Sequence, residues 1–226
     1  MSGATWRAAR RRTTPGRRPA TLRLLGLGVV LAACAGAPAA PNAPTLFEAL
    51  TPEATGVRFT NTLPESTDFN ILNYLYYYNG GGVAAGDVNG DGLPDLYFTA
   101  NLGPNKLYLN RGDYRFEDVT ERAGVAGVPG GWTTGATMAD VDGDGRLDIY
   151  VSGVSYLTKH GHNVLYVNRG DGTFADRTKE FGLEHAGYST QAAFLDYDGD
   201  GDLDMYMLNH STHTERSVGH QARRDV

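Results

Sequence analysis

The stretch Asp140-Val141-Asp142-Gly143-Asp144-Gly145-Arg146-Leu147-Asp148 sets the terms for the whole chain. It returns upstream as Asp87-Val88-Asn89-Gly90-Asp91-Gly92-Leu93-Pro94-Asp95, and downstream as Asp196-Tyr197-Asp198-Gly199-Asp200-Gly201-Asp202-Leu203-Asp204. The loop starts at 87, 140 and 196 are 53 and 56 residues apart, so one structural unit is used repeatedly. Carboxylates packed this closely repel. Two of them ~4 Å apart cost about 4 kcal/mol at an effective dielectric of 20. Several such pairs per loop rival a domain stability of ~5–15 kcal/mol unless a cation lies among them.

Position by position, the loop reads as an oxygen cage of the kind calcium prefers. Asp87, Asn89 and Asp91 are spaced by two, so a turning backbone brings their side chains together; Gly92 permits the turn, Leu93 offers its carbonyl and Asp95 closes the cage. The same roles fall on Asp140, Asp142, Asp144, Arg146 (carbonyl) and Asp148, and on Asp196, Asp198, Asp200, Asp202 (carbonyl) and Asp204. An EF-hand would need Glu at position twelve between helices. Position twelve is Phe98, Val151 and Met207, and the flanks are strand-like. D-G-D-G is also plain turn chemistry, but three copies with acids at positions one, five and nine favour metal. Up to three Ca2+ sites are therefore expected, coupled to folding. The first loop carries a neutral Asn89 where the second carries Asp142, so the first site is expected to be the weaker.

Outward from each loop the order is constant. A small-residue strand precedes it (residues 82–86, 135–139 and 191–195), and a short aromatic or β-branched strand follows (96–99, 149–152 and 205–208). Then N-K-L-Y-L-N-R-G-D-Y-R-F at residues 105–116 matches N-V-L-Y-V-N-R-G-D-G-T-F at 163–174, each reading as a hairpin. About four short strands in ~55 residues is the size of a propeller blade. The hairpins are 58 residues apart against 53 for the first two loops, which places a surface insertion near residues 155–162. Val57-Arg58-Phe59-Thr60 alternates like an edge strand, and the aromatic run at 74–78 leads into Gly80-Gly81-Gly82. The third copy has no second hairpin. Two and a fraction blades do not close a ring of ~4–8, so either the chain is a fragment of a longer protein, the favoured expectation, or another chain covers the open edges.

The start of the chain reads as an address. Seven arginines and no acid occur within residues 1–33, followed by an apolar run at 24–33, too short to span ~30 Å of hydrocarbon as a helix. The run ends in Leu31-Ala32-Ala33-Cys34, which resembles a bacterial lipobox, so Cys34, the single cysteine, is the expected site of lipidation. Residues 34–45 are small and Pro-rich, a tether. Removing the leader takes away seven of twenty basic residues and none of the 26 acids, which moves the formal charge from −6 to −13. That balance argues against nucleic acid as a partner.

Taken together, the D-x-[DN]-G-D-G-x-x-D loop, the short aromatic strand and the N-x-L-Y-x-N-x-G-x-x-x-F hairpin resemble the FG-GAP/VCBS-type repeat, and are similar to the calcium-binding blades of integrin α-chain propellers. The stretch Y-N-G-G-G-V-A-A-G-D-V-N-G-D-G-L-P-D-L at 78–96 resembles bacterial lipoproteins with VCBS repeats. The resemblance implies an all-β chain of β-propeller blades, part of a seven-bladed ring, outside the cytoplasm. The expected organisation is a lipoprotein signal peptide (1–33), a tether (34–45) and a partial propeller (46–226) with repeats at about 79–130, 131–186 and 187–226. The expected function is a surface-anchored calcium-binding module for adhesion, binding or scaffolding, without catalysis. It would bind a protein or glycan ligand of open identity and reach the membrane, expected to be the outer one from Ala35, through lipidated Cys34. The alternative is a piece of an extracytoplasmic propeller enzyme acting on polysaccharide. Three further signals weigh less. Arg111-Gly112-Asp113 and Arg169-Gly170-Asp171 spell RGD but fall where a hairpin turn wants Gly and Asp. His210, His213 and His220 cluster late in the chain. Trp132 and residues 76–78 offer aromatic faces to a sugar or, more simply, to blade packing.

Overall fold

The computed structural model describes residues 47–211. The signal peptide, the whole tether with Cys34, His213 and His220 lie outside them. Among the described residues the fold is all-β, with two single-turn helices, α1 (Pro52–Thr55) and α2 (Thr120–Ala123). None of the helices there is long and apolar enough to cross a membrane.

Three antiparallel sheets follow one another. The first runs β1 (Val83–Gly86), β2 (Asp95–Phe98), β3 (Lys106–Asn110) and β4 (Phe116–Asp118), in that spatial order. The second has β5 (Trp132–Ala139), β6 (Asp148–Tyr156), β8 (Val164–Asn168) and β9 (Phe174–Asp176), with a short β7 (Lys159–His160) folded back on β6. The third consists of β10 (Ser189–Leu195) and β11 (Asp204–Asn209). Register places the acidic loop identically each time. The residue before the first aspartate pairs with the ninth position: Gly86 with Asp95, Ala139 with Asp148, Leu195 with Asp204. Each loop is thus the closed end of an antiparallel pair, and its first and last carboxylates are held close by the ladder itself.

The sheets pack face on face because each presents apolar residues on both sides. Tyr97, Leu107 and Leu109 of the first sheet share a core with Ala136, Ile149, Val151, Val164 and Tyr166 of the second. The other face of the second sheet, Tyr150, Leu165 and Val167, packs against Ala192, Phe194, Met205 and Met207 of the third. Tyr97 and Tyr150 occupy the same repeat position. Both are buried, and their hydroxyls donate to the carbonyls of Val125 (2.7 Å) and Leu183 (3.2 Å) in equivalent turns. The inner strands approach so closely that a Cβ on Gly82 would lie 2.8 Å from the Ala136 nitrogen and from the Thr134 oxygen.

Two local expectations are corrected. Residues 57–60 form no strand. They cover the first sheet with side chains: Phe59 stacks on Phe98 at 5.0 Å, and the Arg58 amide donates to the Tyr108 hydroxyl at 3.3 Å. The extra residues near 155–162 are not a simple surface loop. They lengthen β6 into a hairpin with β7, tipped by Leu157 at φ 51°, and place Tyr156 5.5 Å from Tyr74 in an aromatic cluster.

Candidate metal centres

Within each loop the first aspartate organises the backbone. Asp87 accepts from the amides of Gly90 (2.8 Å) and Asp91 (3.1 Å) with Oδ1, and from Gly92 (2.7 Å) with Oδ2. The second loop repeats this: Asp140 accepts from Asp144 (3.0 Å) and Gly145 (2.8 Å). So does the third, where Asp196 accepts from Gly199 (2.7 Å), Asp200 (3.1 Å) and Gly201 (3.2 Å). Aiming these amides inward requires left-handed backbone at position six, with φ of 83°, 87° and 97° at Gly92, Gly145 and Gly201. The Gly92 amide, followed by those of Gly90 and Asp91, holds the Asp87 carboxyl below its ordinary value.

The ninth position is pinned from the other side. Asp95 accepts from Val88 N (3.0 Å) and Asn110 N (2.8 Å); Asp148 accepts from Val141 N (3.0 Å) and Asn168 N (2.8 Å). Both are buried, whereas Asp204 of the two-stranded third sheet is exposed and accepts from Tyr197 N at 2.9 Å. Burial raises the pKa of Asp95 and Asp148, helped by neighbouring loop carboxylates and opposed by their backbone donors. Among the described residues no lysine or arginine pairs with Asp95, Asp148 or Asp204.

Carboxylate oxygens of Asp140, Asp142 and Asp144, and of Asp196, Asp198 and Asp204, lie within 4.8 Å of one another. Oxygen donors alone, drawn together in these two groups from part-exposed and exposed positions, fit a hard divalent cation such as calcium, while buried Asp148 and exposed Asp200 belong to neither group. In the first loop Asn89 replaces one carboxylate, and its amide donates to Asp91 at 3.0 Å. The second loop holds a feature that sequence reading missed. The Arg146 side chain, expected to serve only through its carbonyl, pairs with Asp144, and its Nε donates to the Asn168 carbonyl at 3.2 Å. One of the four charges in that loop is therefore offset, so the charge count no longer separates the first two sites.

The hairpin asparagines were also missed as functional residues, although the repeated N-x-L-Y-x-N pattern displays them. Asn105 and Asn163 are buried and tie the third strand of each sheet to the preceding chain, accepting from Ala100 N (3.0 Å) and Gly153 N (2.8 Å). Asn110 and Asn168 anchor the ninth aspartates as described above.

Most of the weaker signals are engaged within the fold, while Tyr78 stays 59% exposed. Trp132 is 1% exposed and ringed by Phe69, Tyr74 and Tyr77 at 5.0–5.4 Å, which leaves no open face for a sugar. Tyr76 stacks on His210 at 4.0 Å, and the Tyr78 hydroxyl donates to Glu65. In the RGD turns Arg111 pairs with Glu117 at 2.6 Å, and Asp171 accepts from Thr173 N at 2.9 Å. A cavity of about 270 Å³ lies where the inner strands begin, lined by Tyr74, Tyr76, Trp132, Gln191 and the glycines at 80–82.

Comparison with known proteins finds a match to the FG-GAP-like repeat over residues 87–151 and 154–207, spans that together contain all three acidic loops. The chain is also similar to cartilage acidic protein 1 of Homo sapiens (32% identical over 140 residues) and of Mus musculus (30% over 140). These alignments cover 59% of this chain and 21% of each relative, so the chain spans about a fifth of the length of the curated relatives it matches.

Proposed function

The chain belongs to the FG-GAP-like repeat family, and on that premise we propose that it is an exported β-propeller module whose blades are locked by calcium and which binds or scaffolds rather than catalyses. The observation that carries this is the loop geometry. In each copy a first aspartate gathers the loop amides and a ninth aspartate accepts from the amide of the loop's second residue, and in the first two copies the ninth aspartate is also held by an asparagine amide of the following hairpin. Divalent cations there would relieve carboxylate repulsion at the ends of adjacent strands. The ligands proposed are Asp87, Asn89, Asp91, Leu93 O and Asp95; Asp140, Asp142, Asp144, Arg146 O and Asp148; and Asp196, Asp198, Asp200, Asp202 O and Asp204.

A larger ring is supported by the third sheet. Tyr206 stands at the position of buried Tyr97 and Tyr150 yet is 66% exposed, beside exposed Leu195 and Leu208. A further sheet offering an Ala-Met or Ile-Val face like those on β10–β11 and β5–β6 would cover it, as in a seven-bladed propeller. Anchoring is proposed through lipid on Cys34, at the outer membrane of a bacterium. The binding role, toward a protein or glycan, is tested by a glycan panel with product analysis: retention without turnover is expected, and turnover would overturn it. Anchoring is tested by Cys34→Ser, expected to move the protein from the membrane to the soluble fraction.

A further inference from the structure

Asn168, the last residue of β8, is buried and uses every polar group it has. Its amide N–H donates to Asp148 Oδ1 (2.8 Å), its Oδ1 accepts from Gly170 N (2.9 Å), and its carbonyl accepts from Arg146 Nε (3.2 Å). Its Nδ2 donates to two carbonyls: Leu147 of its own repeat (3.1 Å) and Val88 of the preceding loop (2.7 Å), 80 residues away. Val88 in turn donates its N–H to Asp95 Oδ2 at 3.0 Å. Three hydrogen bonds and the short backbone between them therefore join Asp95 of the first loop to Asp148 of the second. Packing follows the same route. Leu147 and Met138 crowd the residue before the first loop, since a Cβ on Gly86 would lie 2.6 Å from Leu147 Cδ1. In the first repeat Asn110 makes the local half of this arrangement, with N–H to Asp95 Oδ1 (2.8 Å) and Nδ2 to Pro94 O (3.0 Å).

We infer that Asn168 is a positioning residue that couples the first two cation loops, so that calcium at one raises the affinity of the other. The inference rests on the calcium reading of the loops. A cation in the first loop fixes Asp95 and with it Val88, whose carbonyl is the acceptor that orients the Asn168 amide. Asn168 in turn holds Asp148 and the Leu147 carbonyl. A buried hydrogen bond of ordinary strength made in only one state corresponds to about a two- to tenfold coupling, equal in both directions.

The test follows the amide signals of Gly92, Gly145 and Gly201 in the 15N-glycine-labelled full chain as calcium is added. Each of these amides donates to the first aspartate of its own loop, so each reports one site. Asp91→Asn in the first loop is expected to raise the calcium midpoint read at Gly145 two- to tenfold and to leave that at Gly201 in place. Asp144→Asn should shift Gly92 by the same factor. In Asn168→Ala the cross-effect should vanish. Coupling is overturned if Gly145 does not respond to Asp91→Asn, if it responds equally with and without Asn168, or if Gly201 moves as much. Should Asn168→Ala fail to fold, the Asp91→Asn arm decides alone, because Asp91 is exposed and the change conservative. If none of the three glycines responds to millimolar calcium, the calcium reading itself fails and the coupling falls with it.

Discussion

Replacing Arg146 by leucine, the residue that the first loop carries at the same position as Leu93, should change stability and calcium affinity in opposite directions. In the calcium-free protein the guanidinium pairs with Asp144 and donates to the Asn168 carbonyl, and so softens repulsion within the loop. Its side chain is 43% exposed, so solvent screens the pair and its loss costs about 0.5–1 kcal/mol. Calcium binding reverses the sign. An arginine and a calcium ion sharing one carboxylate lie about 5 Å apart, the sum of a charge-assisted hydrogen bond and a calcium–oxygen distance. A single charge against a double charge at that separation repels by about 1.7 kcal/mol in water-like surroundings, and salt roughly halves this. Arg146→Leu is therefore expected to tighten calcium at the second loop about fourfold while lowering the melting temperature measured in chelator. Calorimetry of calcium binding and thermal melts with and without calcium read the two effects separately. Unchanged or weaker binding, or a more stable calcium-free protein, would refute the electrostatic reasoning.

Two further predictions concern packing and pH. Gly82→Ala should destabilise by about 1–3 kcal/mol, because the new methyl meets three backbone atoms of residues 134–136 in β5 at 2.8–2.9 Å; Gly90→Ala has open space and should cost only about 1 kcal/mol for its left-handed φ of 75°. Denaturant melts of the two variants should differ in that order. The pH dependence of the calcium-free protein follows from Asp95 and Asp148, whose burial raises their folded-state pKa above the ordinary 3.8. Their contribution is complete below the unfolded pKa and is lost as pH rises through the raised value, so melting in chelator should improve as pH falls through that raised value toward 3.8. Asp87, held low by the Gly92 amide, gives up its contribution on further acidification. With saturating calcium, protons compete for the same oxygens and acid should only destabilise. Melting temperature followed against pH in both conditions checks this; slopes of the same sign would contradict it.

Much of the site was legible because its chemistry is local. Nine residues contain both the proposed ligands and the glycines that turn the loop, and the pairing of position zero with position nine follows from strands read on either side. The hairpins were legible for the same reason: N-R-G-D and the phenylalanine after it sit where Asn110 pairs with Phe116 and Asn168 with Phe174. What escaped depends on contacts between sheets or on rotamers. The Asn168 bond to Val88 spans 80 residues, and no periodicity encodes it. Arg146 reads in sequence only for its carbonyl, because neither Leu93 nor Asp202 at its position predicts an ion pair with Asp144. Phe59 alternates like a strand residue, yet burying its ring on Phe98 satisfied the segment without a ladder. Trp132 offered a ring to solvent on paper, but three neighbouring rings claim it.

The most direct test is elemental analysis of the purified full chain joined to thermal melts in calcium and in chelator. A calcium-locked fold predicts bound calcium approaching three ions per chain. At calcium a hundredfold above each dissociation constant, it also predicts stabilisation of about 2.7 kcal/mol per site, a rise in melting temperature on the order of 20 °C if all three fill. Protein that carries no divalent metal and melts at the same temperature in both conditions would contradict it.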